Sequence, residues 1–321
     1  MGTRLRRGAC AGRLERVIVV VAPGQGSQTP GFLEPWLSEP SFKEHLQQLS
    51  DTVGIDLVAH GTVSDADTIR DTSVAQPLIV AAGLITASAL LADGRRDKIG
   101  GVAGHSVGEI TAAAVAGILS ETDAVAFVRE RGRSMATAAA IAQTGMSAVI
   151  GGDEDELLAR LAELGLYPAN FNGGGQIVVA GALDALSALQ ENPVAGTRVI
   201  PLQVAGAFHT RYMEPAVAHL TEFAETLTTS DPTLPIWTNK GGVLVKDGRH
   251  FLELLVGQVS SPVRWDQTMD ALANAGVTGI IELAPAGALV GLAKRGLKGV
   301  PTVAVKTPGD LAAAFQLIDG A

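Results

Sequence analysis

The sequence predicts an α/β fold in which a mostly parallel sheet domain is interrupted by a smaller inserted subdomain. Three observations carry that expectation. Short runs of β-branched and small apolar residues alternate with longer stretches of helical spacing, the pattern of a parallel sheet covered on both faces. A G-x-S-x-G run, Gly104-His105-Ser106-Val107-Gly108, stands between an apolar segment and an alanine-rich one. In mid-chain the order becomes strand, helix, strand, strand, helix, strand over roughly sixty residues, which matches a ferredoxin-like βαββαβ unit.

The elements follow in order. Val17 to Ala22 reads as a buried strand, ended by the glycine loop Pro23-Gly24-Gln25-Gly26-Ser27-Gln28. Ser41 to Thr52 has helical spacing, and Thr72 or Ser73 can cap a long helix through Leu91 that tolerates Pro77 in its first turns. Ile99 to Ala103 is a strand and Ile110 to Ile118 a helix. Ser120 with Asp123 marks the start of a helix running to about Ile141. Met146 to Ile150, Glu154 to Glu163, Tyr167 to Asn172, Gln176 to Gly181, Ala182 to Gln190 and Arg198 to Leu202 form the βαββαβ unit. The expected division is therefore a large domain over residues 17–143 and 205–321, with the small one over 144–204. Later strands are expected at Pro235 to Asn239, Gly279 to Leu283 and Thr302 to Val305. Helices are expected up to Leu227, at Phe251 to Val259, at Trp265 to Ala275, after Pro285 and from Asp310.

Composition narrows the classes of function. With 321 residues, 47% of them apolar and only 18% charged, the chain can bury a large core and is not disordered. A net charge of −9 argues against nucleic acid as a partner, because phosphate binding needs a basic face. No uninterrupted apolar run is long enough to cross a bilayer, and the longest candidate, Pro77 to Ala92, reads as a buried helix, so no membrane association is expected. The single cysteine, Cys10, excludes an intrachain disulfide and suits a reducing cytoplasm. Residues 1–16 carry Arg4, Arg6, Arg7, Arg13 and Arg16 without an apolar stretch, and read as a disordered basic extension, not a secretory signal.

The chemistry centres on Ser106. A strand feeding straight into a helix needs strained backbone at the corner, and glycines on either side remove the side chains that would clash there. The serine hydroxyl is thereby presented at the turn, as in α/β-hydrolase-like sheets. The backbone N–H of Val107 lies at the start of the following helix, where unpaired donors favour an oxyanion. No dinucleotide or P-loop motif completes the first glycine loop.

A serine nucleophile needs a base, most often histidine. Of six histidines, His105 is beside Ser106, but the sharp turn points neighbouring side chains apart, so it is expected to hold the turn together. His45, His60, His219 and His250 lie in polar or helical surroundings with nothing to single them out. His209 stands at a loop-to-helix junction, where catalytic residues tend to lie, but this alone does not decide between it and the others.

Several motifs recur in a recognisable order. They are Pro23 to Gln28, Gly104 to Glu109, Arg131-Gly132 with Met135, Asn170-Phe171-Asn172 with Gln176 to Gly181, Gly206-Ala207-Phe208-His209, and Gln258 with Pro262 to Trp265. In this order they resemble the malonyl-CoA:acyl carrier protein transacylase family from about Val17 to the final helix. The resemblance implies that Ser106 takes the acyl group and that His209 is its base. It implies an oxyanion hole made by the N–H groups of Gln25 and Val107, and an Arg131 that binds the malonyl carboxylate, with Met135 alongside. Gln258 would orient the histidine through its main-chain carbonyl, so that a Ser/His dyad needs no acidic third member. Phe208 resembles the form associated with malonyl over its α-methyl homologue; one methyl is worth only about 1–3 kcal/mol in a pocket, so this supports a preference.

The resemblance implies malonyl-CoA as substrate, acyl carrier protein as partner, no bound cofactor and no metal. A serine hydrolase, thioesterase or esterase, is the alternative that the same residues would serve. The basic cluster Lys294, Arg295 and Lys298 is a candidate docking patch for an acidic carrier.

Overall fold

The computed structural model describes residues 16–320. Of the expected basic extension, residues 1–15 lie outside the described residues; Arg16 donates a hydrogen bond to the carbonyl of Gly320 at 3.3 Å. The fold is mixed α/β with two sheets.

β1 (Ile18–Ala22) is followed by a helical excursion through α1 (Glu34–Leu37), α2 (Pro40–Val53), α3 (Leu57–Thr62) and α4 (Thr72–Leu90). β2 (Gly101–Gly104) leads into α5 (Gly108–Ala116) and α6 (Glu121–Ala139). Next come β3 (Thr144–Gly151), α7 (Glu154–Leu164), β4 (Tyr167–Gly173), β5 (Gln176–Ala182), α8 (Leu183–Glu191) and β6 (Thr197–Leu202). The chain returns through α9 (Glu214–Glu225), β7 (Ile236–Trp237), β8 (Leu244–Val245), α10 (Gly248–Gln258), β9 (Val263–Arg264) and α11 (Trp265–Asn274). It ends with β10 (Gly279–Glu282), α12 (Ala288–Gly296), β11 (Thr302–Ala304) and α13 (Leu311–Asp319).

The larger sheet runs β11-β10-β1-β2-β7-β8, parallel except for β8 at one edge. β1 sits near its middle with every residue buried, which is why its sequence is unbroken Ile-Val-Val-Val-Ala. Alternate side chains serve opposite faces: Ile18, Val20 and Ala22 join the large cluster formed with α2, α4, α5 and α6, while Val19 and Val21 join a smaller one with Trp265, Leu272 and Leu292. α4 is long and apolar enough, by length and composition, to cross a bilayer, yet it lies in the core against α2, α5 and α6.

The second sheet runs β6-β3-β5-β4-β9. Its first four strands are antiparallel and come from one continuous stretch, with Val149, Leu157, Leu161, Val179, Leu186 and Leu189 forming a core of their own under α7 and α8. β9 pairs parallel to β4 and belongs to the later part of the chain, a fifth strand that two residues of alternation could not announce.

Several expected boundaries move by a residue or two, three of them as follows. Asp71, not Thr72 or Ser73, caps α4, because its carboxylate accepts the Ser73 N–H at 2.8 Å. The strand expected to reach Asn239 stops at Trp237, since the Thr238 N–H turns to the Val243 carbonyl at 3.0 Å and the Asn239 side chain serves the neighbouring turn. The helix expected to reach about Ile141 ends at Ala139.

Candidate active site

Ser106 occupies the corner between β2 and α5 with φ of +52°, a left-handed conformation that a serine holds only when its surroundings impose it. Packing imposes it here. A side chain on Gly104 would collide with the backbone of Gly108 and Glu109, and one on Gly108 with the carbonyl of Ala22 at the end of β1. Asn239 clamps the corner from beyond β7: its Oδ1 accepts the Ser106 N–H at 2.8 Å and its Nδ2 donates to the Gly104 carbonyl at 2.7 Å.

His209, 103 residues away in sequence, is brought to this corner with its Nε2 2.7 Å from Ser106 Oγ. It too has positive φ, +62°, and its backbone N–H donates to the Val259 carbonyl at 3.0 Å. Its Nδ1 lies 2.9 Å from the main-chain carbonyl of Gln258. A carbonyl can only accept, so Nδ1 carries the proton and the Nε2 lone pair faces the hydroxyl. Burial, with the Arg131 charge nearby, pushes the imidazole down to about 3, so it is neutral at physiological pH.

Arg131, on α6, is fully buried. It donates to Gln76 Oε1 at 2.6 Å, to Gln258 Oε1 at 2.9 Å and, at a long 3.3 Å, to Ser106 Oγ; its Nε has no partner among the described residues. Desolvation lowers its pKa to about 10, opposed by the charge of Glu109, and it remains a cation. Behind it Gln76 Nε2 donates to Met135 Sδ at 3.4 Å. Met135 and Phe208 are both buried in the larger apolar cluster.

Glu109, in the first turn of α5, is 1% exposed. Its carboxylate accepts from the Asn239 N–H at 2.6 Å and, through a very short contact, from Gln258 Nε2. Burial raises it to about 8 against the pull of these hydrogen bonds and of Arg131. Nothing in the sequence by itself gives Glu109, Gln76 or Asn239 a role. The only signals were polar residues in otherwise apolar segments and, for Asn239, a place at a strand's C-terminal end, where α/β folds gather their sites.

The first glycine loop passes close to the corner, for a side chain on Gly24 would come within 3.0 Å of His105. The loop is held by Ser27 Oγ donating to the Gly24 carbonyl at 2.8 Å and by Gln28 Oε1 accepting the Gly26 N–H at 2.8 Å. Among the described residues, the N–H groups of Gln25 and Val107 donate to no protein acceptor. His105 does not stay within its own turn as expected. Its Nε2 reaches 2.9 Å to Asn172 Oδ1 on β4 and so ties the corner to the second sheet.

The remaining histidines have local partners: Glu121 for His45, Ser64 for His60, Glu130 for His219 and Glu253 for His250. Lys294 and Arg295, in the last turn of α12, and Lys298 are exposed. Among the described residues no group of three or more His, Cys, Asp or Glu stands ready to hold a metal.

Comparison with known proteins places this geometry in context. The acyl transferase domain family matches residues 19–309. A malonyl CoA-acyl carrier protein transacylase from Mycobacterium tuberculosis is 48% identical over 299 residues, covering 92% of this chain and 98% of the relative. The crystal structure of MCAT from Mycobacterium tuberculosis superposes with a TM-score of 0.90 at 47% identity, over 93% of this chain and 99% of that one. A solved complex of a type II PKS acyl-carrier protein with its malonyl-transacylase matches at a TM-score of 0.89 and 27% identity, over 95% of this chain and 100% of the other.

Proposed function

The chain belongs to the acyl transferase domain family, among the malonyl CoA-acyl carrier protein transacylases, and from that premise we propose that it carries malonyl from coenzyme A to acyl carrier protein through an ester on Ser106. One observation supports this most strongly. The hydroxyl that faces a neutral imidazole at 2.7 Å also lies 3.3 Å from a buried guanidinium, so an acyl group attached there finds a cation beside it. Such a site favours an acyl chain ending in a carboxylate, whose burial without a partner would be prohibitive.

In the first half-reaction Ser106 Oγ attacks the thioester carbonyl while His209 Nε2 takes its proton. The oxyanion is received by the N–H groups of Val107 and Gln25, whose donors are free for it. The imidazolium, steadied by the Gln258 carbonyl, returns the proton to the departing coenzyme A sulfur. In the second half-reaction the phosphopantetheine thiol of the carrier gives its proton to His209 and attacks the ester carbonyl, and His209 then reprotonates Ser106. No acidic third member and no cofactor is needed. Arg131 holds the malonyl carboxylate throughout, and Phe208 and Met135 shape the apolar wall behind it.

The fold reads as a hydrolase-like sheet domain, residues 17–143 and 205–321, carrying a ferredoxin-like insert over 144–204. The βαββαβ order and the strand order β6-β3-β5-β4 support this. In this reading the enzyme supplies extender units for fatty-acid or polyketide synthesis, and we place it in the cytoplasm, which the single cysteine, Cys10, suits. The test is intact mass spectrometry: malonyl-CoA should add one malonyl group to the protein, on Ser106, and added carrier protein should remove it. Release as free malonate faster than transfer would mark a thioesterase instead.

A further inference from the structure

Arg131 is buried, and among the described residues no carboxylate lies against it. Its donors end on the amide oxygens of Gln76 and Gln258 and on the Ser106 hydroxyl. The charge that balances it, Glu109, stands one residue further off, with the Gln258 side chain between: Nε2 toward the carboxylate, Oε1 toward the guanidinium. Of the groups packed against Glu109, Arg131 on α6 is the charged one. Gln258 on α10, and Thr238 and Asn239 after β7, supply neutral hydrogen bonds.

A glutamine amide accepts at one end and donates at the other, so its neighbours dictate which way it faces. An ionised Glu109 demands the N–H end and thereby turns the oxygen to Arg131, the arrangement observed. A Glu109 protonated on Oε2 becomes a donor and demands the oxygen, which turns the NH2 group toward the space in front of Arg131. That orientation is unfavourable beside a lone guanidinium. It suits a guanidinium already holding a carboxylate, because the NH2 group adds a further donor to the bound anion.

We infer that Gln258 is an amide switch thrown by Glu109: above neutral pH the ionised carboxylate satisfies Arg131 through the amide in the substrate-free enzyme, and docking of a carboxylate-bearing acyl group drives a proton from solvent onto Glu109. Glu109 is thus a positioning residue that acts on the substrate through Gln258 and Arg131. The inference rests on the reading above, in which Arg131 meets the malonyl carboxylate. The physical reason for the proton is charge: one buried cation stabilises one buried anion, and a second anion beside it is costly. The two imidazoles at the corner, His209 and His105, are both pushed down by burial, His209 to about 3, and do not compete for the proton.

The test uses the Ser106→Ala protein, which binds thioesters without being acylated. Binding of malonyl-CoA and of acetyl-CoA is followed by titration calorimetry at pH 8 in two buffers of different ionisation heat, which counts protons exchanged. Glu109, raised to about 8, is partly ionised there, so malonyl-CoA should take up a measurable fraction of a proton more than acetyl-CoA. The excess should vanish near pH 6, where Glu109 is already protonated. Adding Glu109→Gln should abolish it. Gln258→Met, which keeps the main-chain carbonyl, should shrink it, since charge repulsion remains but the amide relay is gone; an undiminished excess in that protein overturns the switch, and this variant covers the case in which the Glu109 variant does not fold. Equal uptake for the two thioesters, or an excess that persists in the Glu109→Gln protein, overturns the inference while leaving a preference for malonyl-CoA intact. If malonyl-CoA binds no more tightly than acetyl-CoA, the Arg131 reading itself has failed.

Discussion

Replacing Arg131 with alanine separates recognition of the malonyl carboxylate from support of the catalytic pair. In the free protein the substitution deprives two buried amide oxygens, Gln76 Oε1 at 2.6 Å and Gln258 Oε1 at 2.9 Å, of their donor. Each such loss costs about 1–3 kcal/mol, partly offset because a desolvated cation is removed as well. The Ser106–His209 hydrogen bond does not depend on the guanidinium, whose own contact to Ser106 Oγ is a long 3.3 Å. With malonyl bound, the loss is larger, since a buried carboxylate stands without its partner at a cost of roughly 3–5 kcal/mol. At about 1.4 kcal/mol per tenfold, kcat/KM for malonyl-CoA should fall by about 10²–10⁴, while that for acetyl-CoA should change by less than about tenfold or rise. Arg131→Lys should recover part of the malonyl activity, because charge survives but a single ammonium cannot reproduce the two-pronged geometry. The assay is kcat/KM for both thioesters on the three proteins. Equal falls for malonyl and acetyl in Arg131→Ala would refute the reasoning and make Arg131 a structural residue.

His209 should act as a neutral base down to low pH, so acylation of Ser106 should stay flat between about pH 5 and 7, whereas an ascending limb near 6.5 would contradict the burial argument. The same depressed pKa gives a stability slope of known sign. The unfolded chain binds more protons between about pH 3 and 6.5, so the melting temperature should fall on acidification through that window, and less steeply in His209→Gln. Gly108→Ala should collapse the corner, because the added methyl meets the Ala22 carbonyl. It is expected to destabilise by at least about 1–3 kcal/mol and to abolish labelling by malonyl-CoA, and a stable, fully active variant would show that the β1 end can move aside. Reversing the charges of Lys294, Arg295 and Lys298 should raise the KM for carrier protein and flatten its salt dependence without changing acylation by malonyl-CoA; an unchanged carrier KM removes the patch.

Local chemistry made much of the fold legible. A run such as Ile18 to Ala22 has no polar residue to place on a wet face, so it had to be an interior strand, and the β-then-α order around it had to yield a largely parallel sheet. The corner at Ser106 was readable because strained backbone needs Gly104 and Gly108 at fixed spacing, and spacing is a property of the chain alone. Capping followed the same logic at Ser120, where a side chain meets a backbone N–H three residues on. The family motifs added His209, Arg131 and Gln258, which periodicity could not have singled out.

Only the tertiary structure decided how those residues meet. His209 reaches Ser106 across 103 positions, and Gln258 reaches Glu109 across 149. No local rule connects residues so distant, because their approach is set by sheet order and by which helices cover which face. For the same reason β9 joined the second sheet unannounced, and His105 turned out to bond Asn172 across the two sheets. Glu109 is the clearest case. A glutamate in the first turn of a helix is ordinarily a solvated charge favoured by the dipole. Here packing from three other elements buries it, raises it to about 8 and ties it through one amide to the buried guanidinium of Arg131. Burial is a property of the assembled molecule, and it is burial that turns an unremarked side chain into a titrating part of the mechanism.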